Sequence, residues 1–323
     1  MIHNRFAMAA VLSLAVSLAH ATGFQRVEVP ASGSLPPLRG AVWYPCARPT
    51  SDLKLGPFDL SVAKDCPVTG GKLPLVVVSH GRAGSYLGHR DTAEALANAG
   101  FVVVAIDHPG DNTMDSSRTH DPTVFVERPA DIKRVIDYML GSWPAAQRID
   151  PGRVGVFGFS RGGYTVLAVI GAELSRTRLQ ALCEGDESPI CDQVRKGALP
   201  SLAHDPRVKA AVIADPLGVL FAPESFRDVQ TPVQLWASER GGDGVAPENV
   251  AAIAEWLPAK PDFHSVPNSQ HFAFLAPCPA DLMKSAPEIC VDKSDFDRAA
   301  FHKEFNGAVV AFFRAHLMEA QTR

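Results

Sequence analysis

From Leu73 onward, short runs of apolar or β-branched residues recur: Leu75–Ser79, Phe101–Asp107, Val154–Phe159, Val208–Ala214, Val233–Ala237 and Phe263–Val266. Each is bounded by Gly, Pro or Asp, which predicts buried strands. Between them, His89–Ala99, Pro129–Leu140, Arg161–Ala172, Pro247–Trp256 and Asp295–Leu317 carry apolar residues at helical spacing. Strands alternating with helices predict a mostly parallel central sheet with helices on both faces, an α/β architecture. Upstream, Arg26–Pro30 and Gly40–Tyr44 read as short edge strands that lead into a Pro/Gly-punctuated loop through Gly71. Glu173–Arg207 separates one helix from the next strand by about 35 residues, a length that predicts a lid-like insertion in a single domain over residues 22–323.

The first residues change this picture only at one end. Arg5 precedes an apolar run from Phe6 to Leu18, and Ala19-His20-Ala21 has small residues where a signal peptidase reads. The run is about 13 residues, short of the roughly 20 that span a bilayer. Residues 1–21 are therefore expected to be a signal peptide, and the mature protein to be exported, periplasmic or extracellular, with no stable membrane anchor. A formal net charge of −4 gives no electrostatic footprint for nucleic acid. All six cysteines follow the leader, and an even count in an exported chain predicts disulfides. Local spacing suggests Cys46–Cys66, Cys183–Cys191 and Cys278–Cys290. No CxxC pair or nearby His at ligand spacing favours a metal instead.

In open α/β sheets, chemistry gathers beyond the carboxyl ends of the strands. One such end runs from Val154 into Gly158-Phe159-Ser160-Arg161-Gly162-Gly163 and then an apolar helix, a G-x-S-x-G in the strand–turn–helix context that makes Ser160 a candidate nucleophile. A serine hydroxyl attacks only if a base reaches it and the turn exposes it, and the flanking glycines remove side chains that would clash. Ser79-His80-Gly81-Arg82 ends an earlier strand where the second oxyanion donor belongs, so the backbone N–H groups of Arg82 and Arg161 are the expected pair. Their side chains read first as solvated or salt-bridged, with binding of a substrate carboxylate as the alternative.

Of eleven histidines, His271 lies in a loop after the final strand, completing the order Ser, acid, His. His80 reads as structural in the oxyanion loop and His108 as part of the pocket rim. Two aspartates follow strands in places suited to the acid. Asp243 is favoured because it follows the penultimate strand; Asp215, directly before Pro216, is the alternative.

Taken together, Ser79-His80-Gly81, the Gly158–Gly163 elbow, Asp243-Gly244-Val245-Ala246-Pro247 and Asn268-Ser269-Gln270-His271-Phe272 resemble the dienelactone hydrolase-like branch of the α/β-hydrolases. The segments Ala105–Gly110 and Phe274–Cys278 are similar to its exported members, and the likeness runs from about Val27 to Leu317. It implies the α/β-hydrolase fold and cleavage of carboxylic esters. Dienelactone hydrolases proper carry a cysteine where this chain has Ser160, so a serine esterase is the implied activity. Related chains of the platelet-activating-factor acetylhydrolase kind place their acid after the earlier strand, which keeps Asp215 in view. The expectation is acyl transfer through Ser160 and His271 on a small-molecule ester, with no metal or organic cofactor required. The alternatives are a serine peptidase on the same fold and a non-catalytic binding protein that keeps it.

Overall fold

A computed structural model describes residues 21–318; the expected leader, apart from Ala21, lies outside them. Ten strands form one sheet in the order β10-β9-β8-β7-β5-β6-β2-β1-β4-β3. Six of them are parallel to one another: β5 (Leu73–Ser79), β6 (Val102–Ile106), β7 (Ile149–Phe159), β8 (Val208–Ala214), β9 (Val233–Ser238) and β10 (Asp262–Val266). Successive side chains point to opposite faces, so their unbroken apolar runs feed two cores. Val77, Val104, Val156 and Ile213 face one core; Val76, Val103, Phe157 and Val212 face the other.

Helices α1 (Arg90–Asn98), α2 (Val124–Gly141), α3 (Arg161–Val169), short α4 (Arg176–Leu182) and α5 (Pro189–Arg195), α6 (Pro247–Trp256), short α7 (Ala280–Ser285) and α8 (Pro287–Cys290), and α9 (Arg298–Leu317) complete the chain. Ile132, Val166 and Val250 place α2, α3 and α6 against the first core. Leu96, Phe305 and Phe313 place α1 and α9 against the second. Helix α2 begins before the expected Pro129, which sits inside it. A proline cannot donate to the carbonyl four residues back, and that carbonyl, of Phe125, accepts instead from Tyr164 Oη at 3.0 Å.

The N-terminal reading needs correcting. β1 (Ala21–Val29) and β2 (Leu38–Cys46) are interior strands, with β2 antiparallel to both β1 and β6. The segment read as a loop contains a hairpin, β3 (Ser51–Leu55) and β4 (Phe58–Lys64). Its alternation was present in Leu53, Leu55, Phe58, Leu60 and Val62, with Gly56 at φ 58° in the turn. Disulfides join Cys46 to Cys66, Cys183 to Cys191 and Cys278 to Cys290. The Glu173–Arg207 stretch holds α4 and α5, and it packs Leu179, Ile190 and Val194 into the first core.

His89 is buried between the rings of Phe157 and Phe159, at 5.0 and 5.4 Å. Burial pushes it down from 6.5 to about 4. The folded chain keeps this ring neutral while the unfolded chain binds a proton below 6.5, so its contribution to stability is present above that pH and lost as pH falls towards 4. Relative to the parent, His89→Leu should gain about 2–3 kcal/mol in urea unfolding on going from pH 7.5 to 4.5. An unchanged difference across that range would mean that His89 is charged in the fold.

Candidate active site

Ser160 follows β7 with φ 56° and ψ −119°, immediately before α3. This backbone is unfavourable for a residue with a Cβ and persists only where its surroundings fix it. A Cβ on Gly158 would lie 2.2 Å from the Gly162 carbonyl oxygen, and one on Gly162 would lie 2.0 Å from that of Ser79. The two glycines thus let the turn close and α3 seat against the end of β5. Ser160 N–H donates to the Ala214 carbonyl at 3.0 Å, and Leu217 N–H donates to the Ser160 carbonyl at 2.9 Å, which ties the turn to the end of β8.

His271 opens a short 3-10 turn, His271–Phe274, and is 1% exposed. Its backbone N–H donates to the Gly241 carbonyl at 2.9 Å. Phe159 stacks on its ring with centroids 4.7 Å apart. Ser160 Oγ donates to His271 Nε2 at 2.9 Å, and His271 Nδ1 donates to Asp215 Oδ2 at 2.6 Å. Asp215 is fully buried and also accepts from Ser238, through the backbone N–H at 2.8 Å and the hydroxyl at 2.7 Å.

The acid beside His271 is therefore Asp215, and the preference for Asp243 is corrected. Both aspartates have positive φ after a strand, 45° and 47°, so local conformation does not separate them. Strand order does. β8 is the immediate neighbour of β7, whereas β9 lies one strand further out, about 4.8 Å more. Asp243 instead accepts from Arg82 Nη2 at 2.5 Å, in a pair whose side chains are 22% and 40% exposed. The bridge runs from the residue after Gly81, whose added Cβ would lie 3.2 Å from Ser160 Cβ, to the residue after Gly242, whose added Cβ would lie 3.3 Å from His271 Cβ.

A family model described as serine aminopeptidase, S33, matches residues 72–183, which include Ser79–Arg82 and the Ser160 turn but neither Asp215 nor His271. No curated protein sequence matches the chain. A solved ferulic acid esterase from Streptomyces cinnamoneus superposes with a TM-score of 0.64 over 95% of each chain, at 20% identity. The fold is that of the α/β-hydrolases.

In this fold the segments carrying the expected oxyanion donors both adjoin Ser160, one through Gly81 and the other through Arg161. Arg161 is the first residue of α3, so its N–H has no acceptor within the helix. Both arginine side chains are paired: Arg82 with Asp243, and Arg161 through Nη1, which donates to Asp111 Oδ2 at 2.8 Å and to the Thr119 carbonyl at 2.9 Å. His80 holds the turn after β5 from inside. Its Nδ1–H donates to the Gly81 carbonyl at 2.6 Å, and its Nε2 accepts from His108 N–H at 3.1 Å. Burial, reinforced by Arg128, pushes His80 down to about 3.

His108 is not at the rim as read from sequence. It is fully buried, hydrogen-bonded to Ser79 Oγ at 2.9 Å and Asp131 Oδ2 at 3.0 Å, and burial holds its pKa well below the ordinary value. Burial also raises Asp131 to about 7. Sequence reasoning missed Asp111, Arg128 and Asp131 altogether. A signal existed for Arg128, a charged residue in line with Val124, Ile132 and Val135 on the buried face of α2. Among the described residues no cluster of three His, Cys, Asp or Glu side chains is arranged to hold a metal ion, and no helix is long and apolar enough to cross a membrane.

Proposed function

We propose that this chain is a serine hydrolase of carboxylic esters. The observation that carries the reading is the unbroken hydrogen-bond chain Ser160–His271–Asp215 at the carboxyl ends of the parallel strands. His271 Nε2 takes the Ser160 proton as Oγ adds to the ester carbonyl, and the Arg82 and Arg161 N–H groups receive the oxyanion. His271 returns the proton to the departing alcohol; water then attacks the acyl-enzyme with His271 again as base. Asp215 holds the imidazole in the tautomer that leaves Nε2 open and stabilises the imidazolium.

The ferulic acid esterase neighbour supports an ester as substrate, and the sequence motifs support a place in the serine-bearing dienelactone hydrolase-like branch. A groove of ≈ 720 Å³ beside Ser85, Tyr86 and Leu87 is lined by Phe58 and Met114 together with Arg39 and Asp107, and by none of Ser160, His271 and Asp215. The larger cavity, ≈ 820 Å³, lies at the opposite ends of the strands, by Arg153, Val208 and Pro232. The three disulfides fit an exported protein, periplasmic or extracellular.

The family description favours a second reading, an aminopeptidase. Hydrolysis of p-nitrophenyl esters from acetate to palmitate, run beside amino-acid p-nitroanilides, separates the two. The ester reading expects turnover of the esters with a maximum at short chains and none of the anilides. Turnover of the anilides alone would replace it with the peptidase.

A further inference from the structure

Beneath the oxyanion side of the site lies a buried charge cluster that the acyl-transfer steps do not use. Its centre is Asp111, fully buried, with both carboxylate oxygens doubly engaged. Oδ1 accepts from the Ala83 backbone N–H at 3.0 Å and the Thr119 hydroxyl at 2.8 Å. Oδ2 accepts from Arg128 Nη1 at 2.6 Å and Arg161 Nη1 at 2.8 Å. Arg128, 1% exposed, also donates through Nη2 to the His80 carbonyl. Burial works to raise the Asp111 carboxyl, but Arg128 and Arg161 hold it below the usual carboxylate range.

These contacts have a directional meaning. The two proposed oxyanion donors are the N–H groups of Arg82 and Arg161, and they come from segments far apart in the chain, the turn after β5 and the start of α3. One carboxylate grips both segments: Ala83 N–H belongs to the peptide that follows Arg82, and the Arg161 guanidinium belongs to the residue that carries the other donor. Arg128 fixes the other end of the oxyanion loop, at His80. We propose that Asp111 is a positioning residue that sets the spacing between the two oxyanion donors, with Arg161 acting through its side chain as the strap and through its backbone as a donor.

The proposal rests on the serine hydrolase reading but not on the identity of the substrate, so its test uses a reagent that needs only the nucleophile and the oxyanion hole. A fluorophosphonate reacts as Ser160 Oγ bonds to phosphorus, the phosphorus–fluorine bond breaks, fluoride leaves and the hydroxyl proton passes to His271. Donors displaced by even 1 Å would slow this by about 10- to 100-fold. The variants are Asp111→Asn, Arg161→Met, which leaves the Asp111–Arg128 pair in place, and Arg161→Lys, which restores a charged donor. Labelling is followed by intact mass on folded protein. The expectation is a maximal labelling rate lowered about 10- to 100-fold in Arg161→Met and Asp111→Asn, partial recovery in Arg161→Lys, and no change in the concentration of half-maximal rate or in the pH profile of labelling.

A structural role alone would lower the melting temperature and leave the labelling rate of the folded fraction intact, and that result overturns the proposal. Should Asp111→Asn fail to fold, Arg161→Met decides by itself. A parent protein unlabelled at Ser160 overturns the hydrolase reading and this inference with it; a labelled parent with equally fast variants overturns only the inference.

Discussion

Ser160→Ala is expected to lose about 10⁶-fold in kcat on any ester the parent cleaves, the scale on which a nucleophile-base unit fails when either member is removed. The loss should be all at the chemical step. Ser160 is held by backbone bonds to Ala214 and Leu217, and those do not involve its hydroxyl, so the variant should fold and bind substrate as the parent does. His271→Ala should cost nearly as much, and the double variant no more than either alone, because both act on one proton transfer. Steady-state rates, normalised to the folded fraction, check this. Turnover surviving at a tenth of the parent rate would place the nucleophile elsewhere.

Asp215→Asn should cost about 10⁴-fold in kcat, while Asp243→Asn should cost less than about tenfold. The difference follows from the donors around each carboxylate. Asp215 Oδ1 faces the backbone N–H of Ser238, and Oδ2 faces His271 Nδ1 and the Ser238 hydroxyl. An asparagine amide must turn its NH₂ towards one side. The Ser238 N–H cannot reverse, so the NH₂ faces His271, which must then carry its proton on Nε2 and can no longer take one from Ser160. Asp243 has no such partner; it loses only a half-exposed pair with Arg82, and pairs of that kind contribute about 0–1 kcal/mol. kcat/KM for the two variants on one ester settles the order, and a larger loss at Asp243 would return it to the triad.

The parallel strands and the elbow were legible in sequence because their signals are local. Val208–Ala214 and Pro247–Trp256 coincide with β8 and α6, since a buried apolar run bounded by turn residues has few other solutions. The β3–β4 hairpin was missed because its strands are only 5 and 7 residues long and sit in a stretch punctuated by prolines and glycines. α2 was begun late because Pro129 reads as a helix start; only the distant Tyr164 hydroxyl, by taking the freed Phe125 carbonyl, lets the helix run through it.

The sequence by itself determined the sheet's parallel core, the Ser160 turn with its two glycines, His271 in the loop after the last strand, and cysteines close enough in the chain to pair locally. These are properties of neighbours along the chain, where spacing fixes geometry. Only the tertiary structure decided which aspartate meets His271, that Asp243 turns to Arg82, and that Asp111 gathers Arg128, Arg161 and the oxyanion loop. Each of those contacts joins residues brought together by strand order and helix packing, and the buried charges among them hold because every carboxylate oxygen finds a donor from a different segment.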